Sequence, residues 1–159
     1  MSMLPADIVL DRKIDLLVEN GHPLPRWGWP VPAPYNGATG AERIYVWQKN
    51  HIAWRVGLMR ERSVCSVCEN RNAEQWHGEL YFRPFALMPI CRSCHARVHK
   101  RFRSPDRWGE FLETIKAANW AQVLLPEQLS REEAIRLSNE SDWLGALSDF
   151  SAARSPPAG

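Results

Sequence analysis

The chain has 159 residues, of which 45% are apolar and 24% charged, so its composition predicts a globular protein and excludes an intrinsically disordered chain. It holds no run of about 18 apolar residues, so the sequence predicts no membrane-spanning helix and no membrane partner. The net charge of +2 is uneven: residues 51–107 carry 11 Lys and Arg against 5 Asp and Glu, and this basic segment favours a polyanion such as DNA as partner.

The N-terminal flank, residues 1–60, is predicted to be mainly helical. Its start lacks a charged segment followed by an apolar stretch, so we expect no signal peptide and a cytoplasmic location. Apolar residues recur at helical spacing up to Gly21, which predicts a helix over residues 6–20. Five prolines and three glycines in residues 22–40 exclude a regular element there, and the two Trp and one Tyr of this stretch predict an extended strap packed on the core.

A second helix is predicted over residues 41–59. It places Trp47, His51 and Trp54 on one face, because these residues are separated by about one helical turn each. A histidine on such an aromatic stripe is expected to be a hydrogen-bonded core side chain rather than a metal ligand.

Four cysteines form two CxxC pairs, Cys65-Ser-Val-Cys68 and Cys91-Arg-Ser-Cys94, separated by 22 residues. In a reducing compartment this pattern indicates metal ligands rather than disulfides. Each pair brings two thiolates into one tight turn, and two pairs complete a tetrahedral site with no open position. The sequence therefore predicts a structural Zn²⁺.

The residues around the cysteines predict a small ββα module over residues 61–103. Polar and aromatic runs at Trp76 and at Tyr81–Phe82 predict a β-hairpin, followed by a loop that contains Pro84 and Pro89. After the last cysteine, the run His-Ala-Arg-Val-His-Lys-Arg-Phe is compatible with a helix. Knuckle, hairpin, knuckle and helix are the layout of a treble-clef zinc module, so the predicted fold class is α+β with this module between helical flanks.

Three of the five histidines, His77, His95 and His99, fall in this module. His95 and His99 are four residues apart, so on a helix they project from the same face. His77 lies on the predicted hairpin, which packs against that helix in this layout. The three imidazoles are therefore candidates for a second divalent metal, Mg²⁺, Mn²⁺, Ni²⁺ or Zn²⁺, distinct from the zinc at the thiolates.

The C-terminal flank, residues 104–150, is also predicted to be helical. Its Ser-Pro start supplies an N-cap and a proline at the first helical position, and the helix is predicted to run through Trp108 and Trp120 and to pack back on the module. Ser130-Arg-Glu-Glu133 has the form of a capping box and begins a further short helix. Residues 151–159 are predicted to be a disordered tail.

Over about a quarter of the chain, from Ser63 to Phe102, the sequence resembles the HNH (ββα-metal) endonuclease family, in its form with a four-cysteine treble-clef zinc. The resemblance rests on Cys-Ser-Val-Cys, on His77-Gly-Glu-Leu-Tyr-Phe-Arg-Pro84 and on Cys-Arg-Ser-Cys-His-Ala-Arg-Val-His. In that family a metal-binding Asn or His follows the second CxxC directly, and His95 matches this position. Many small members also carry a histidine four residues later, as His99 does.

The resemblance implies metal-dependent hydrolysis of DNA phosphodiester bonds. A divalent ion would clamp the scissile phosphate and the leaving oxygen, and a neutral histidine on the hairpin would take a proton from the attacking water. The implied catalytic residues are His77, Glu79, His95 and His99. The implied contacts to flanking phosphates come from a basic run, Arg97, Lys100, Arg101 and Arg103.

The hairpin departs from the family at one position. Members usually carry two adjacent polar residues there, the first a metal ligand and the second the general base. Aligned through Tyr81, His77 takes the metal position and Gly78 the base position; with a one-residue bulge, His77 becomes the base and Trp76 takes the ligand position. Glu79 is the remaining candidate base, although a carboxylate of ordinary pKa is a weaker base at pH 7.

Two further classes of function stay open. The first is a non-catalytic zinc module that binds DNA or a protein, in which His77, His95 and His99 support the cysteine turns by hydrogen bonding and the basic run is a solvent-exposed helical face. The second is a regulatory or inhibitory partner of a nucleic-acid machine. A zinc deaminase is disfavoured, because only 11 residues separate Glu79 from Cys91, too few for the crossover that this fold needs.

Overall fold

A computed structural model describes residues 4–154 of the chain as an α+β protein. Its two strands form one antiparallel sheet. No helix in the described range is long and apolar enough to cross a membrane. The elements in chain order are α1 (Ala6–Glu19), α2 (Gly40–Arg55), β1 (Gln75–Gly78), β2 (Leu87–Ile90), α3 (Arg92–Lys100), α4 (Pro105–Leu112), a short 3₁₀ helix (Trp120–Val123), α5 (Arg131–Ser138) and α6 (Trp143–Arg154).

The described residues group into two compact units. Unit 1 contains residues 4–61, 78–87 and 129–141, and therefore α1, α2 and α5. Unit 2 contains residues 62–77, 88–128 and 142–154, and with them α3, α4 and α6. All four cysteines and the histidines His77, His95 and His99 belong to unit 2.

The core of unit 1 forms where α1 and α2 pack together around Ile14, Ile52 and Phe85. Beside it, the buried Lys49 of α2 forms ion pairs with Asp11 and Asp15 of α1. An ammonium that is 4% exposed needs such partners, because an unpaired buried charge is strongly destabilising. Apolar burial and this triad of charges thus fix the same pair of helices.

The strap predicted for residues 22–40 lies along α2 without regular structure. Gln48 donates a hydrogen bond to the carbonyl of Pro25 at 2.8 Å, and Arg43 donates to the carbonyl of Ala33 at 2.6 Å. The strap ends in a two-residue turn in which Asn36 (φ 45°) and Gly37 (φ 78°) both have the left-handed conformation. Asn-Gly is the dipeptide that favours this turn, because both of its central residues require positive φ.

Helix starts agree with their sequence signals more closely than helix ends do. α5 begins after a complete capping box of Ser130 and Glu133, as predicted. α2 has a second such box, formed by Thr39 and Glu42, which the sequence reasoning missed. α2 stops at Arg55 rather than at residue 59, because Gly57 (φ 76°) turns the chain out of the helix.

The helix predicted through Trp108 and Trp120 is interrupted. α4 ends at Leu112, and Trp120 starts the separate 3₁₀ helix. At this end the hydroxyl of Thr114 donates to the carbonyl of Phe111 at 2.7 Å, a local side-chain bond that competes with the helical pattern. At the C-terminus, α6 extends to Arg154, so residues 151–154 are helical rather than part of a disordered tail, and residues 155–159 lie outside the described range.

The hairpin also differs in register from its prediction. Tyr81 and Phe82 lie in the connection between the strands and not in a strand, and the second strand is Leu87–Ile90, which includes Pro89. A proline is tolerated there because a two-stranded sheet leaves one side of each strand without a ladder partner. His77 lies in β1, as the sequence predicts.

Candidate metal centre

The four cysteines converge in unit 2. Their Sγ atoms all lie within 4.8 Å of one another, and Cys65, Cys91 and Cys94 are buried. In a tetrahedral site with Zn–S bonds of about 2.3 Å, the sulfurs are about 3.8 Å apart, so this spacing accommodates one ion. The cluster can therefore hold one metal ion, and its composition is compatible with structural zinc.

The first cysteine pair sits in a tight loop closed by backbone hydrogen bonds. The amide of Cys65 donates to the carbonyl of Arg71 at 2.7 Å, and the amide of Glu69 donates to the carbonyl of Cys65 at 3.0 Å. Glu69 has φ 58°, the left-handed conformation that lets the chain turn back around the sulfurs. Burial raises the pKa of Cys68, but hydrogen bonds from the backbone N–H groups of Asn70 and Arg71 and from neighbouring thiols outweigh it and lower that pKa to about 7.

The second pair starts α3. Cys91 is the N-cap of this helix, and its sulfur accepts a hydrogen bond from the amide of Cys94 at 3.5 Å. Burial raises the pKa of Cys91 and of Cys94 above that of a free thiol. A bound cation reverses this effect, because it stabilises the thiolate form. A metal bound by these two thiolates would therefore anchor the first turn of the helix that carries His95 and His99.

The three histidines of the module also converge. One ring nitrogen from each of His77, His95 and His99 lies within 4.8 Å of the others, and the Nε2 atoms of His95 and His99 are 3.0 Å apart. Metal–nitrogen bonds of about 2.0–2.1 Å hold two imidazole nitrogens on one ion about 2.9–3.3 Å apart. The spacing therefore fits a shared divalent ion as well as it fits a hydrogen bond between the two rings.

The orientation of His95 is fixed from the sheet. Its Nδ1 lies 2.7 Å from Oε1 of Gln75, which is two residues before His77 on β1 and so faces the same side of the strand. An Nδ1–H donated to this amide oxygen leaves the lone pair of the neutral ring at Nε2, the atom that faces His99. Such an outer hydrogen bond is the usual way in which a metal-binding histidine is oriented.

His77 is held by residues that the sequence reasoning did not identify. Its ring is 1% exposed and stacks on Trp120, with ring centroids 5.7 Å apart and an angle of 15° between the planes. The indole N–H of Trp120 donates to the hydroxyl of Ser66 at 3.0 Å. Asn119 donates to the carbonyls of Ser66 and Val67, at 3.0 and 2.8 Å. These contacts tie the 3₁₀ helix to the first cysteine turn and place the indole against the imidazole.

Glu79, the fourth candidate catalytic residue, belongs to unit 1 and is 2% exposed. Its two carboxylate oxygens accept hydrogen bonds from the hydroxyl of Tyr35 and from Nδ2 of Asn36, both at 2.8 Å. Asn36 also accepts a bond from the amide of Leu129 at 3.0 Å. These bonds give Glu79 a structural role in unit 1.

The candidate phosphate contacts divide into two groups. Arg97, Lys100 and Arg103 are exposed, whereas Arg101 is 2% exposed. The guanidinium of Arg101 donates to the carbonyls of Leu125 and Val98, at 2.6 and 3.0 Å, and lies over the ring of Phe102. In this conformation Arg101 stabilises unit 2 and does not present its charge to a phosphate, contrary to what the sequence led us to expect.

No protein-family model, curated protein or solved structure matches the chain.

Proposed function

We propose that the chain is an HNH-like, metal-dependent endonuclease that hydrolyses DNA phosphodiester bonds. The observation that supports this proposal best is the convergence of His77, His95 and His99 beside a four-thiolate site, with Nδ1 of His95 engaged by Gln75. A divalent ion at these imidazoles would supply positive charge to the phosphate and to the leaving oxygen. We also propose that residues 61–103 form a treble-clef ββα zinc module.

In this proposal the histidines divide two tasks, metal ligation and proton transfer. His95 and His99 present Nε2 from one face of α3 and act as ligands. His77 either completes the ligand set or accepts a proton from the attacking water, since its ring contacts both other imidazoles, with centroid distances of 5.2 and 5.5 Å. Stacking on Trp120 fixes its ring plane for either task, which favours a preorganised site.

A second candidate function is a DNA- or protein-binding zinc module without catalytic activity. Two observations favour it: Gly78 offers no side chain at the base position, and the carboxylate of Glu79 is occupied by Tyr35 and Asn36. If His77 is a metal ligand, the chain supplies no evident general base of its own. The two candidates share the cysteine site and differ in whether the histidines hold a reactive ion.

Plasmid nicking and metal analysis separate these candidates. Wild-type protein is expected to nick supercoiled plasmid with Mg²⁺, Mn²⁺ or Ni²⁺ and to bind two ions per chain, one of them zinc. His95→Ala should abolish nicking and lower the content to one ion while leaving the melting temperature nearly unchanged. His22→Ala, which changes a half-buried histidine of unit 1 outside the cluster, is the matched control and should behave as wild type.

Cys91→Ser tests the thiolate site in the same assays. It is expected to remove zinc and to unfold unit 2, because a structural metal contributes much of the stability of so small a module. Intact plasmid with every metal, together with one ion per chain, would rule out the nuclease and leave the binding module. A folded protein without any metal would rule out both.

A further inference from the structure

We propose that the groove between α3 and α4 binds a backbone phosphate of the nucleic acid at a site separate from the histidines. This inference rests on the proposed interaction with DNA, but not on catalysis. The groove has a volume of about 330 Å³. Arg97, Lys100 and Arg107 would contact the phosphate, and Phe111 supports Arg97.

All the charged residues that line this groove are basic. Four of the residues that line it are Arg or Lys, and none is Asp or Glu, although α4 carries Asp106 and Glu110 nearby in sequence. Lys100 and Arg107 make no ion pair within residues 4–154. Cations without carboxylate partners on two facing helices raise the local potential in a concave space, which attracts an anion.

One of these cations is preorganised for phosphate. The guanidinium of Arg97 lies over the ring of Phe111, 4.8 Å from the ring centroid. Stacking uses the face of the guanidinium and leaves its N–H edge free, and that edge matches two phosphate oxygens. Arg97 is thus positioned by α4 rather than extended freely into solvent.

The wall of the groove also contains an unsatisfied donor. Trp108 is 4% exposed, and its indole N–H has no hydrogen-bond acceptor in the described part of the chain. Buried donors are normally paired with protein, water or a bound group. This indole nitrogen is itself buried, so the groove would bind the phosphate through its cations rather than through Trp108.

The groove lies on the far side of α3 from the histidines. At 100° per residue, Arg97 and Lys100 project about 150° away from the direction shared by His95 and His99. A phosphate in the groove is therefore not the one bound at the imidazoles. The groove would hold the strand at a neighbouring position and set where it crosses α3.

The test measures the binding of a short fluorescein-labelled DNA duplex by fluorescence anisotropy, without added divalent ions and at salt concentrations of about 50–200 mM. Lys100→Gln/Arg107→Gln is expected to weaken binding roughly 10-fold and to lower the magnitude of the salt slope by about 1, as expected for the loss of one phosphate contact. Ala96→Leu, which fills the groove without changing charge, should weaken binding as well. Arg12→Gln/Lys13→Gln is the matched control, because it removes the same charge from two exposed residues of unit 1 that do not line the groove, and it should change affinity less than twofold.

Each outcome decides the inference independently of the nuclease. If Arg12→Gln/Lys13→Gln weakens binding as much as the groove substitutions do, or if Ala96→Leu has no effect, general surface charge explains the binding and the groove site is wrong. The groove site is also wrong if wild-type protein binds no duplex at any salt concentration in this range. If the groove substitutions weaken binding while wild-type protein cleaves nothing, the groove site stands and only catalysis fails.

Discussion

The hydrogen bonds of Glu79 predict a structural rather than a catalytic role for this carboxylate, and one substitution distinguishes the two roles. Glu79→Gln keeps the shape of the side chain but replaces one acceptor oxygen by an NH₂ group, which faces a donor from either Tyr35 or Asn36. Hydrogen bonds to a charged acceptor contribute about 1.5–3 kcal/mol and neutral ones about 0.5–1.5 kcal/mol, so weakening two of them should cost about 2 kcal/mol. For a protein of this size that corresponds to a fall of about 4–8 °C in melting temperature.

The assay is thermal unfolding by circular dichroism, paired with plasmid nicking at a temperature where each variant is folded. Tyr35→Phe removes one donor to a charged acceptor and leaves the carboxylate intact, so it should lose about 1.5–3 kcal/mol. The double variant should lose less than the sum of the single losses, because both changes remove the same bond. Normal stability of Glu79→Gln combined with loss of nicking would refute the structural role and return Glu79 to the catalytic site.

Two other predictions concern unit 1. Gly37→Ala should destabilise the protein by roughly 2–4 kcal/mol, because the left-handed φ of 78° disfavours a side chain and the new Cβ would lie 2.3 Å from Cα of Arg131. Gly21 has a similar φ but open space around it, so Gly21→Ala should cost only about 1 kcal/mol. Equal losses of stability for the two variants in unfolding curves would contradict the packing explanation. The hydrogen bond from Arg131 and those from Thr39 lower the pKa of Glu42 from 4.5 to about 2, so its contribution to stability is complete above pH 4.5 and is lost as the pH falls towards 2. In Glu42→Gln the melting temperature should therefore fall less between pH 4.5 and 2 than it does in the wild type. An equal fall in the two proteins would show that Glu42 is not responsible.

The features that the sequence predicted well are those encoded over a few residues. A capping box specifies a helix start because its two hydrogen bonds join residues three positions apart, and α5 begins where Ser130 and Glu133 place it. Two CxxC turns specify a thiolate cluster because the chain can close each turn in only a few ways. Histidines four residues apart share a helix face by geometry alone, which explains why His95 and His99 meet.

Contacts between distant segments were not predictable in this way. Glu79 was a candidate base because of its place in the hairpin motif, yet its partner Tyr35 is 44 residues away in the strap. Arg101 follows the pattern of an exposed basic run, but it is buried because Leu125, 24 residues later, offers a carbonyl to its guanidinium. Charge and spacing indicate which interactions a side chain can form, whereas tertiary packing determines which of these interactions it forms.

Ser66 shows how the cysteine site and the histidine site depend on each other within unit 2. It lies between Cys65 and Cys68, and its hydroxyl donates to the carbonyl of Pro89 on β2 at 2.6 Å while accepting from the indole of Trp120 at 3.0 Å. Trp120 in turn supports the ring of His77. A metal that closes the thiolate turn therefore fixes Ser66, and through it the indole that orients the imidazole. Such a metal would be a structural requirement for the geometry of the histidines, even though four thiolates leave it no open position for a substrate.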